Sequence, residues 1–348
     1  MKAPEEPLDV GNSGTTIRLL TGILAGSAIS ATITGDTSIK RRPMGRVIHP
    51  LRQMGADIVA EAGELAPVRI RGAALRGVDH DLELASAQVK SALLLAGLSA
   101  QGETSVREPT RSRDHTERML KYLGVPIVES SDRLIVKSTN LQNAPIAVPG
   151  DLSSAAFLLV AAAIVPGSEV RVEGVGLNPT RTGILEILEH FGAAVTVEPW
   201  GDQCGEPVGA VTVAARDRRP VEVSGDLTVR AIDELPLVGV LGAVAEGGVT
   251  AVRGAAELRV KESDRIASVV AMLRRMGASA EALPDGFAVR GPARLRGARI
   301  DPAGDHRIAM TAAVAGLIAD ETVTVEDWDC VAVSYPGFER DLEALAVR

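Results

Sequence analysis

The chain has 348 residues, a formal net charge of −8 and only 2% aromatic residues. That length exceeds what one hydrophobic core usually organises, so two domains are expected. The negative charge excludes a general binder of polyanions, because neutralising many phosphates requires a basic surface. The scarcity of aromatic side chains argues against stacking on nucleic-acid bases.

The two cysteines, Cys204 and Cys330, lie in different contexts without the spacing of a metal site. This pattern is typical of a reducing compartment rather than of a disulfide scaffold. Apolar runs such as 155–165 are too short to span a bilayer, and no charged-then-apolar leader opens the chain. We therefore expect a cytoplasmic protein without a membrane segment or a zinc site.

Amphipathic helices recur along the chain, and four of them end at a glycine where a helix C-cap belongs, namely Gly55, Gly124, Gly192 and Gly277. A β-branched or alternating stretch follows each of these glycines. A second recurring element, a helix of small residues followed by a turn and a strand, is clearest over 91–106, 155–172 and 236–252. The unit of strand, helix, strand, helix and strands repeats about every 70 to 85 residues.

Five copies of this unit are visible, two before the linker at 141–145 and three after it. We predict an α/β (α+β) fold of two domains, 1–147 and 148–348, in which the copies pack around shared helical interiors. Three copies in the second domain imply that the first, with two of three repeat units, is incomplete. The missing sixth copy would belong at the N-terminus, where residues 1–7 show no helix or strand pattern.

Two segments near the N-terminus are candidates for ligand binding. Residues 11–18, Gly-Asn-Ser-Gly-Thr-Thr-Ile-Arg, open a predicted helix with small residues whose backbone lets a ligand approach closely. Taken alone, this pattern fits an ordinary helix cap equally well. Three cations at 40–42 precede a proline; such cations are usually solvated, but Arg42 lies at a fixed helix start.

Polar residues precede three later helices. Residues 86–91 combine hydroxyl, carboxamide and ammonium groups, and residues 112–117 do something similar one half-repeat later, although each start could be a simple cap. We interpret residues 149–154 as structural because no cation accompanies them. Asp233 precedes a proline-started helix and is either its N-cap or a base held against a substrate hydroxyl.

Residues 258–265 alternate cations and anions just before an amphipathic helix at 266–276. Arg265 could fork onto a carboxylate or phosphate, with Glu262 positioned for proton transfer. In an arbitrary sequence such a cluster is usually a solvated charged turn. A second cluster at 304–310, which includes Arg307, precedes another apolar helix and favours a convergent anion site.

Six motifs together resemble those of the 5-enolpyruvylshikimate-3-phosphate (EPSP) synthase family: 11–18, 86–88, 112–117, 258–265, 305–310 and Ser-Tyr-Pro at 334–336. The resemblance follows the family's order and spacing over nearly all of the chain. It implies a two-domain enolpyruvyl transferase fold of six βαβαββ units, of which five are present here. The N-terminal unit of the family would be lacking.

The resemblance implies the activity of a 3-phosphoshikimate 1-carboxyvinyltransferase of the shikimate pathway of aromatic amino acid biosynthesis. The enolpyruvyl group of phosphoenolpyruvate passes to the 5-hydroxyl of shikimate 3-phosphate, and phosphate is released. The reaction requires no metal or organic cofactor. The expected partners are the two small-molecule substrates, with no nucleic acid and no membrane, and the expected state is a monomer.

The family pattern also implies roles for residues. Phosphoenolpyruvate would be clamped by the three arginines Arg42, Arg265 and Arg307. Its pocket would be lined by Gly14 and Gln88. Shikimate 3-phosphate would be held by Ser86, Gln88, Ser112, Arg113, Asp233 and Lys261. Asp233 and Glu262 would carry the protons. Guanidinium groups suit this ligand because they pair bidentately with its carboxylate and its phosphate.

One departure leaves alternatives open. The family's first unit carries Pro-Gly-Asp-Lys-Ser, whose lysine touches both substrates, and nothing here matches it. A truncated, catalytically impaired remnant that binds substrate weakly or needs a complementing N-terminal fragment is therefore the alternative. A related transferase acting on a UDP-amino sugar is disfavoured, because Cys204 lacks the context of that family's cysteine loop.

Overall fold

The structure is a computed structural model that describes residues 2–130 and 132–346. The chain divides into two compact units, which we call unit 1 (Met1–Ala147) and unit 2 (Val148–Arg348). Among the described residues, no helix is both long enough and apolar enough to cross a bilayer.

The first repeat of unit 1 is a βαβαββ unit. Its elements are β1 (Leu8–Asp9), α1 (Gly14–Ala25), β2 (Ser30–Thr34), α2 (Gly45–Gln53), β3 (Asp57–Glu61) and β4 (Leu65–Arg71). Strands β1 and β2 pair in parallel, whereas β4 pairs antiparallel with both β2 and β3. The sheet order is therefore β1-β2-β4-β3.

The second repeat has the same topology. Its elements are β5 (Asp79–Asp81), α3 (Ala87–Gly97), β6 (Glu103–Arg107), α4 (His115–Tyr122), β7 (Val128–Ser130) and β8 (Arg133–Lys137). The sheet order β5-β6-β8-β7 again places one parallel pair beside two antiparallel pairs. In each repeat, the first helix therefore begins just after the end of the first strand.

Close packing of α1 against α3 fixes the starts of both helices in unit 1. Gly22 of α1 lies so near α3 that an added Cβ would overlap the carbonyl oxygen of Ala92. Ile17, Leu24 and Leu93 are buried in the same core. Small and aliphatic residues fill this interior, which is how a chain with few aromatic residues reaches close packing.

Unit 2 begins with a repeat whose first strand is reduced to one parallel bridge between Gly150 and Val175. The elements that follow are α5 (Leu152–Ile164), β9 (Glu169–Gly176), α6 (Gly183–Phe191), β10 (Ala194–Gln203) and β11 (Glu206–Ala214). The three strands pair antiparallel in the order β10-β11-β9.

The next repeat is complete and carries one extra short helix, α7. Its elements are β12 (Glu222–Val223), α7 (Asp226–Arg230), α8 (Leu235–Val244), β13 (Gly248–Val252), α9 (Arg265–Arg275), β14 (Ser279–Leu283) and β15 (Gly286–Gly291). The last repeat consists, up to residue 346, of β16 (Arg299–Ile300), α10 (His306–Gly316), β17 (Thr324–Val325) and α11 (Phe338–Leu345). Strands β16 and β17 pair in parallel.

The core of unit 2 contains α5 and α8, which are apolar on nearly all sides, and the largely buried α10. A helix of this composition must be covered all round, and every residue of α8 is indeed buried. Phe338 closes one side of the core, with its ring centroid 5.8 Å from that of Phe157, 6.0 Å from that of Trp328 and 5.5 Å from that of Tyr335.

The predicted α/β fold of repeated βαβαββ units is confirmed. The four glycines expected at helix ends all have positive φ, between 82° and 105°, a backbone conformation that side chains with a Cβ rarely adopt. Helix α1, which the sequence pattern predicts over 17–24, begins at Gly14 because the Ser13 side chain caps it there. The sequence pattern also predicts a final helix over 338–347, whose last residue lies outside the described residues.

Candidate active site

The start of α1 is a crowded, positively charged corner of unit 1. Ser13 Oγ accepts the Thr16 N–H at 3.1 Å and caps the helix. A Cβ added to Gly14 would lie 2.6 Å from Arg42 Nη1 and 2.9 Å from Arg18 Nη1. Two guanidinium groups therefore approach the helix start closely, and only glycine leaves them room.

Arg18 joins three segments at this corner. It is 4% exposed, and its Nη1 donates to the Gly14 carbonyl at 3.1 Å and to Gln88 Oε1 at 2.7 Å. Its Nη2 donates to the carbonyl of Pro43 at 3.3 Å. The starts of α1 and α3 and the residue after Arg42 are thus held by one buried side chain.

A second part of the unit 1 site is formed by the loops that precede α3 and α4. Ser86 is the N-cap of α3, and Gln88 Nε2 donates to Thr15 Oγ1 at 2.8 Å. Ser112 is 4% exposed, and its Oγ has no hydrogen-bond partner among the residues that the structure describes. Buried hydroxyls are nearly always satisfied, so this one indicates a place for a ligand. Arg113, which is half-buried, follows it.

Arg265 is the centre of the site in unit 2. Its side chain is 1% exposed, and its Nε donates to Asp305 Oδ2 at 2.8 Å, its Nη2 to Glu262 Oε2 at 2.5 Å and its Nη1 to Asp233 Oδ1 at 3.3 Å. Burial acts to lower the pKa of Arg265, but the three carboxylates outweigh it and the pKa is raised. The guanidinium therefore stays charged and fixes the positions of the two candidate proton carriers.

Asp233 lies between two cations. Lys261 Nζ is 3.6 Å from Asp233 Oδ1, on which Arg265 also converges. The side chains of Asp233 and Lys261 are 13% and 21% exposed, so solvent screens this pair only in part. The N-cap of α8 is Glu234 rather than Asp233. Of the two interpretations of Asp233, the structure therefore does not support the helix cap.

Arg307 extends this cluster from the first turn of α10. Its Nη1 donates to the Asp233 carbonyl at 3.2 Å and lies 4.0 Å from Glu234 Oε1. Asp305 caps the helix by accepting the Arg307 N–H at 2.9 Å. Burial, assisted by the charge of Arg307, lowers the pKa of His306 below its ordinary value of 6.5. The imidazole is therefore neutral at pH 7, and the local positive charge belongs to the arginines and the lysine.

Comparison with known proteins identifies the family of the chain that carries these clusters. A family model described as EPSP synthase (3-phosphoshikimate 1-carboxyvinyltransferase) matches residues 1–342. The chain belongs to the EPSP synthase family. Curated relatives of that name include those of Synechococcus sp. (strain JA-3-3Ab), 49% identical over 99% of this chain and 79% of the relative, and of Geobacillus kaustophilus (strain HTA426), 51% identical over 99% and 82%.

Solved structures support the same membership. The structure of EPSP synthase from Acinetobacter baumannii is similar with a TM-score of 0.85 at 42% identity, covering 99% of this chain and 80% of that chain. The enolpyruvyl transferase NikO from Streptomyces tendae has a TM-score of 0.72 at 15% identity, covering 99% of this chain and 95% of that chain. At that identity the likeness to NikO concerns the fold alone. The predicted enolpyruvyl transferase fold is confirmed.

The expectation that the chain lacks the first unit of the EPSP synthase family gains no support from these matches. They extend over 99% of the chain and between 79% and 82% of the curated relatives quoted. What they establish is the family, over nearly the full length of this sequence.

The residues that the family pattern selects fall into the two clusters. Unit 1 carries its six selected residues at or just before the starts of α1, α2, α3 and α4, namely Gly14, Arg42, Ser86, Gln88, Ser112 and Arg113. Unit 2 brings together Asp233, Lys261, Glu262, Arg265 and Arg307. The guanidinium of Arg265 donates hydrogen bonds to carboxylates, so direct binding of an anion by this group would require exchange of one of them.

The interpretation of residues 149–154 as structural rests on the absence of an accompanying cation, and that reason is wrong. Arg181 Nη2 donates to Asp151 Oδ1 at 2.7 Å and to Ser153 Oγ at 2.6 Å. Ser153 Oγ in turn contacts a carboxylate oxygen of Glu234, so the starts of α5 and α8 are tied together beside Arg307. Arg181 lies thirty residues from Asp151, and only the folded chain reveals the pairing.

Proposed function

We propose that this chain transfers the enolpyruvyl group of phosphoenolpyruvate to the 5-hydroxyl of shikimate 3-phosphate and releases phosphate. The observation that carries the proposal is the cluster around Arg265, where three carboxylates, a lysine and a second arginine converge. Membership of a family whose curated members are named 3-phosphoshikimate 1-carboxyvinyltransferase supports it.

The reaction needs a proton donor and a proton acceptor. In the addition step the 5-hydroxyl oxygen bonds to the central carbon of phosphoenolpyruvate, its proton passes to a base, and another proton reaches the methylene carbon. We assign the base to Asp233 and the proton at carbon to Glu262. In the elimination step the methyl group returns a proton, the C–O bond to phosphate breaks, and phosphate leaves. Positioned proton transfer of this kind contributes roughly 10²- to 10⁴-fold in rate.

Anion binding is the second requirement. We assign phosphoenolpyruvate to Arg42, Arg265 and Arg307, with Gly14 and Gln88 beside it. We assign shikimate 3-phosphate to Ser86, Gln88, Ser112, Arg113, Asp233 and Lys261. Support comes from the unpartnered Ser112 hydroxyl and from Asp233, which is shared by Arg265 and Lys261. A substrate hydroxyl that approaches Asp233 would meet a carboxylate whose charge these cations favour.

We further propose that units 1 and 2 are the two domains of the family fold. A monomer, a cytoplasmic location and independence of cofactors remain predictions. Gel filtration with light scattering tests the first of these, because a monomer has a mass of 36.3 kDa.

Phosphate release by the purified chain tests the proposed function. Release is expected only when both substrates are present, and Asp233→Asn is expected to lower kcat about 10²- to 10⁴-fold. Glu257→Gln is the matched control, because Glu257 lies in the turn before the cluster and outside the assigned site. A folded chain that neither releases phosphate nor binds shikimate 3-phosphate by calorimetry refutes the proposal, as does release with a UDP-amino sugar as the only acceptor.

A further inference from the structure

Glu108 follows strand β6 and places its carboxylate between two loops of unit 1. Its Oε1 accepts the Ser86 N–H at 3.1 Å, and its Oε2 accepts the Ser112 N–H at 3.3 Å. The side chain is 7% exposed. One buried carboxylate therefore connects the loop before α3 with the loop before α4.

A buried lysine neutralises this carboxylate. Lys90 lies in α3 with a side chain that is 1% exposed, and its Nζ is 2.9 Å from Glu108 Oε2 and 2.8 Å from Glu117 Oε1. The same Nζ donates to the Ser112 carbonyl at 3.4 Å. A buried charge persists only when it is paired and hydrogen-bonded, so these groups depend on one another.

The contacts hold Ser112 from both sides of its backbone. Its N–H is bound by Glu108 and its carbonyl by Lys90, while its Oγ has no hydrogen-bond partner among the described residues. A polar group whose backbone is fixed and whose hydroxyl is left for a ligand is the arrangement of a preorganised binding residue. Ser86 is held in the same way at its N–H.

We propose that the Lys90–Glu108 pair is a positioning device that sets the separation of Ser86 and Ser112 for binding of the phosphate-bearing substrate. The proposal rests on the proposed function for the identity of that substrate. Neither Lys90 nor Glu108 touches the substrate. They act through the two loop amides and through the start of α3, which also carries Gln88.

Glu108→Gln and Glu117→Gln form a matched pair of variants. Both replace a carboxylate that contacts Lys90 Nζ within 3.0 Å and whose side chain is 7% or 6% exposed. Only Glu108 accepts hydrogen bonds from Ser86 and Ser112. A glutamine has one carbonyl oxygen, so at position 108 one of the two loop amides loses its acceptor. A general effect of weakening the ion cluster appears in both variants, and a positioning effect appears in one.

Steady-state kinetics and amide exchange provide the readouts. Glu108→Gln is expected to raise the KM for shikimate 3-phosphate about tenfold, with kcat and the KM for phosphoenolpyruvate within about twofold of the unsubstituted chain. Glu117→Gln is expected to leave all three within about twofold. In the unliganded chain, hydrogen exchange resolved to single amides by NMR is expected to speed up about tenfold at Ser86 or Ser112 in Glu108→Gln alone.

Equal KM changes or equal exchange rates in the two variants overturn the proposal and leave Lys90 and Glu108 a purely structural role. If Glu108→Gln does not fold, Glu108→Asp replaces it, because it keeps the charge and withdraws the carboxylate from the amides by one methylene. If the unsubstituted chain neither turns over nor binds shikimate 3-phosphate, the proposed function fails. The exchange comparison still decides whether Glu108 positions the loops.

Discussion

Gly14→Ala tests the proposed anion site of unit 1 most directly. The new Cβ would lie 2.6 Å from Arg42 Nη1 and 2.9 Å from Arg18 Nη1, whereas ordinary contacts of a Cβ begin at 3.4 Å. Arg18 is held by carbonyl and carboxamide oxygens from three segments. Both guanidinium groups lie within 3.0 Å of the new methyl carbon, so both have to shift, and Arg42 has to shift further because it lies closer.

The size of the effect follows from the displacement. Arg42 Nη1 must retreat by about 0.8 Å. A hydrogen bond of ordinary length from Arg42 to phosphoenolpyruvate would then be stretched beyond the range in which it contributes to binding. A hydrogen bond to a charged group contributes about 1.5–3 kcal/mol, which corresponds to roughly 10- to 150-fold in affinity. The KM for phosphoenolpyruvate should rise by that factor, and the KM for shikimate 3-phosphate should change little.

Initial rates of phosphate release at varied concentrations of each substrate measure both constants. Ser13→Ala is the control, because it removes the cap of the same helix, worth about 1 kcal/mol, without placing an atom near Arg42. An unchanged KM for phosphoenolpyruvate in Gly14→Ala, or an equal rise in both KM values, would refute the assignment of Arg42 to this substrate.

Three further predictions concern stability, measured by urea unfolding followed by circular dichroism. Asp305→Asn keeps the helix cap but removes the negative charge that pairs with the fully buried Arg265, so it should lower the free energy of unfolding of unit 2 by about 3–5 kcal/mol. A decrease below about 1 kcal/mol would contradict this. Burial acts to raise the pKa of Asp151, but Arg181, the Ser153 N–H and a neighbouring arginine lower it. The charge of Asp151 thus stabilises the fold above pH 3.8. Asp151→Asn should therefore lower the free energy of unfolding by up to about 1 kcal/mol at pH 7 and leave it unchanged once the pH falls below the lowered pKa. A difference in unfolding free energy between the two chains that does not depend on pH would argue against the pairing. Burial lowers the pKa of His80, against the charge of its neighbour Asp79, so stability should fall as the pH drops below 6.5, and His80→Phe should flatten that slope; an unchanged slope would exclude His80 as its source.

Local chemistry explains why much of the fold could be predicted. Gly55 and Gly192 mark helix ends because a left-handed residue is needed there whatever the tertiary context. The apolar face of α9 and the all-apolar α8 carry helical spacing in the sequence itself. Residues such as Ser86 and Arg307 were within reach because they stand at helix starts, where polar side chains meet free amides.

Pairings between distant segments could not be predicted in the same way. Lys90 reads as one more polar residue before an apolar run, and nothing local indicates that Glu108 and Glu117 will enclose it. Arg181 gives no signal that it will reach Asp151. These contacts depend on how one helix start packs against another in the folded unit, and the spacing of repeats along the sequence does not specify that packing.

The aromatic cluster around Phe338 has a practical consequence for spectroscopy. Both tryptophans of the sequence, Trp200 and Trp328, belong to unit 2. Trp328 packs against Phe338, whereas Trp200 is 55% exposed. Tryptophan fluorescence therefore reports on unit 2 and does not detect unfolding of unit 1. If the blue-shifted emission of the packed indole persists while the helical circular dichroism signal declines, unit 1 is the unit that unfolds first.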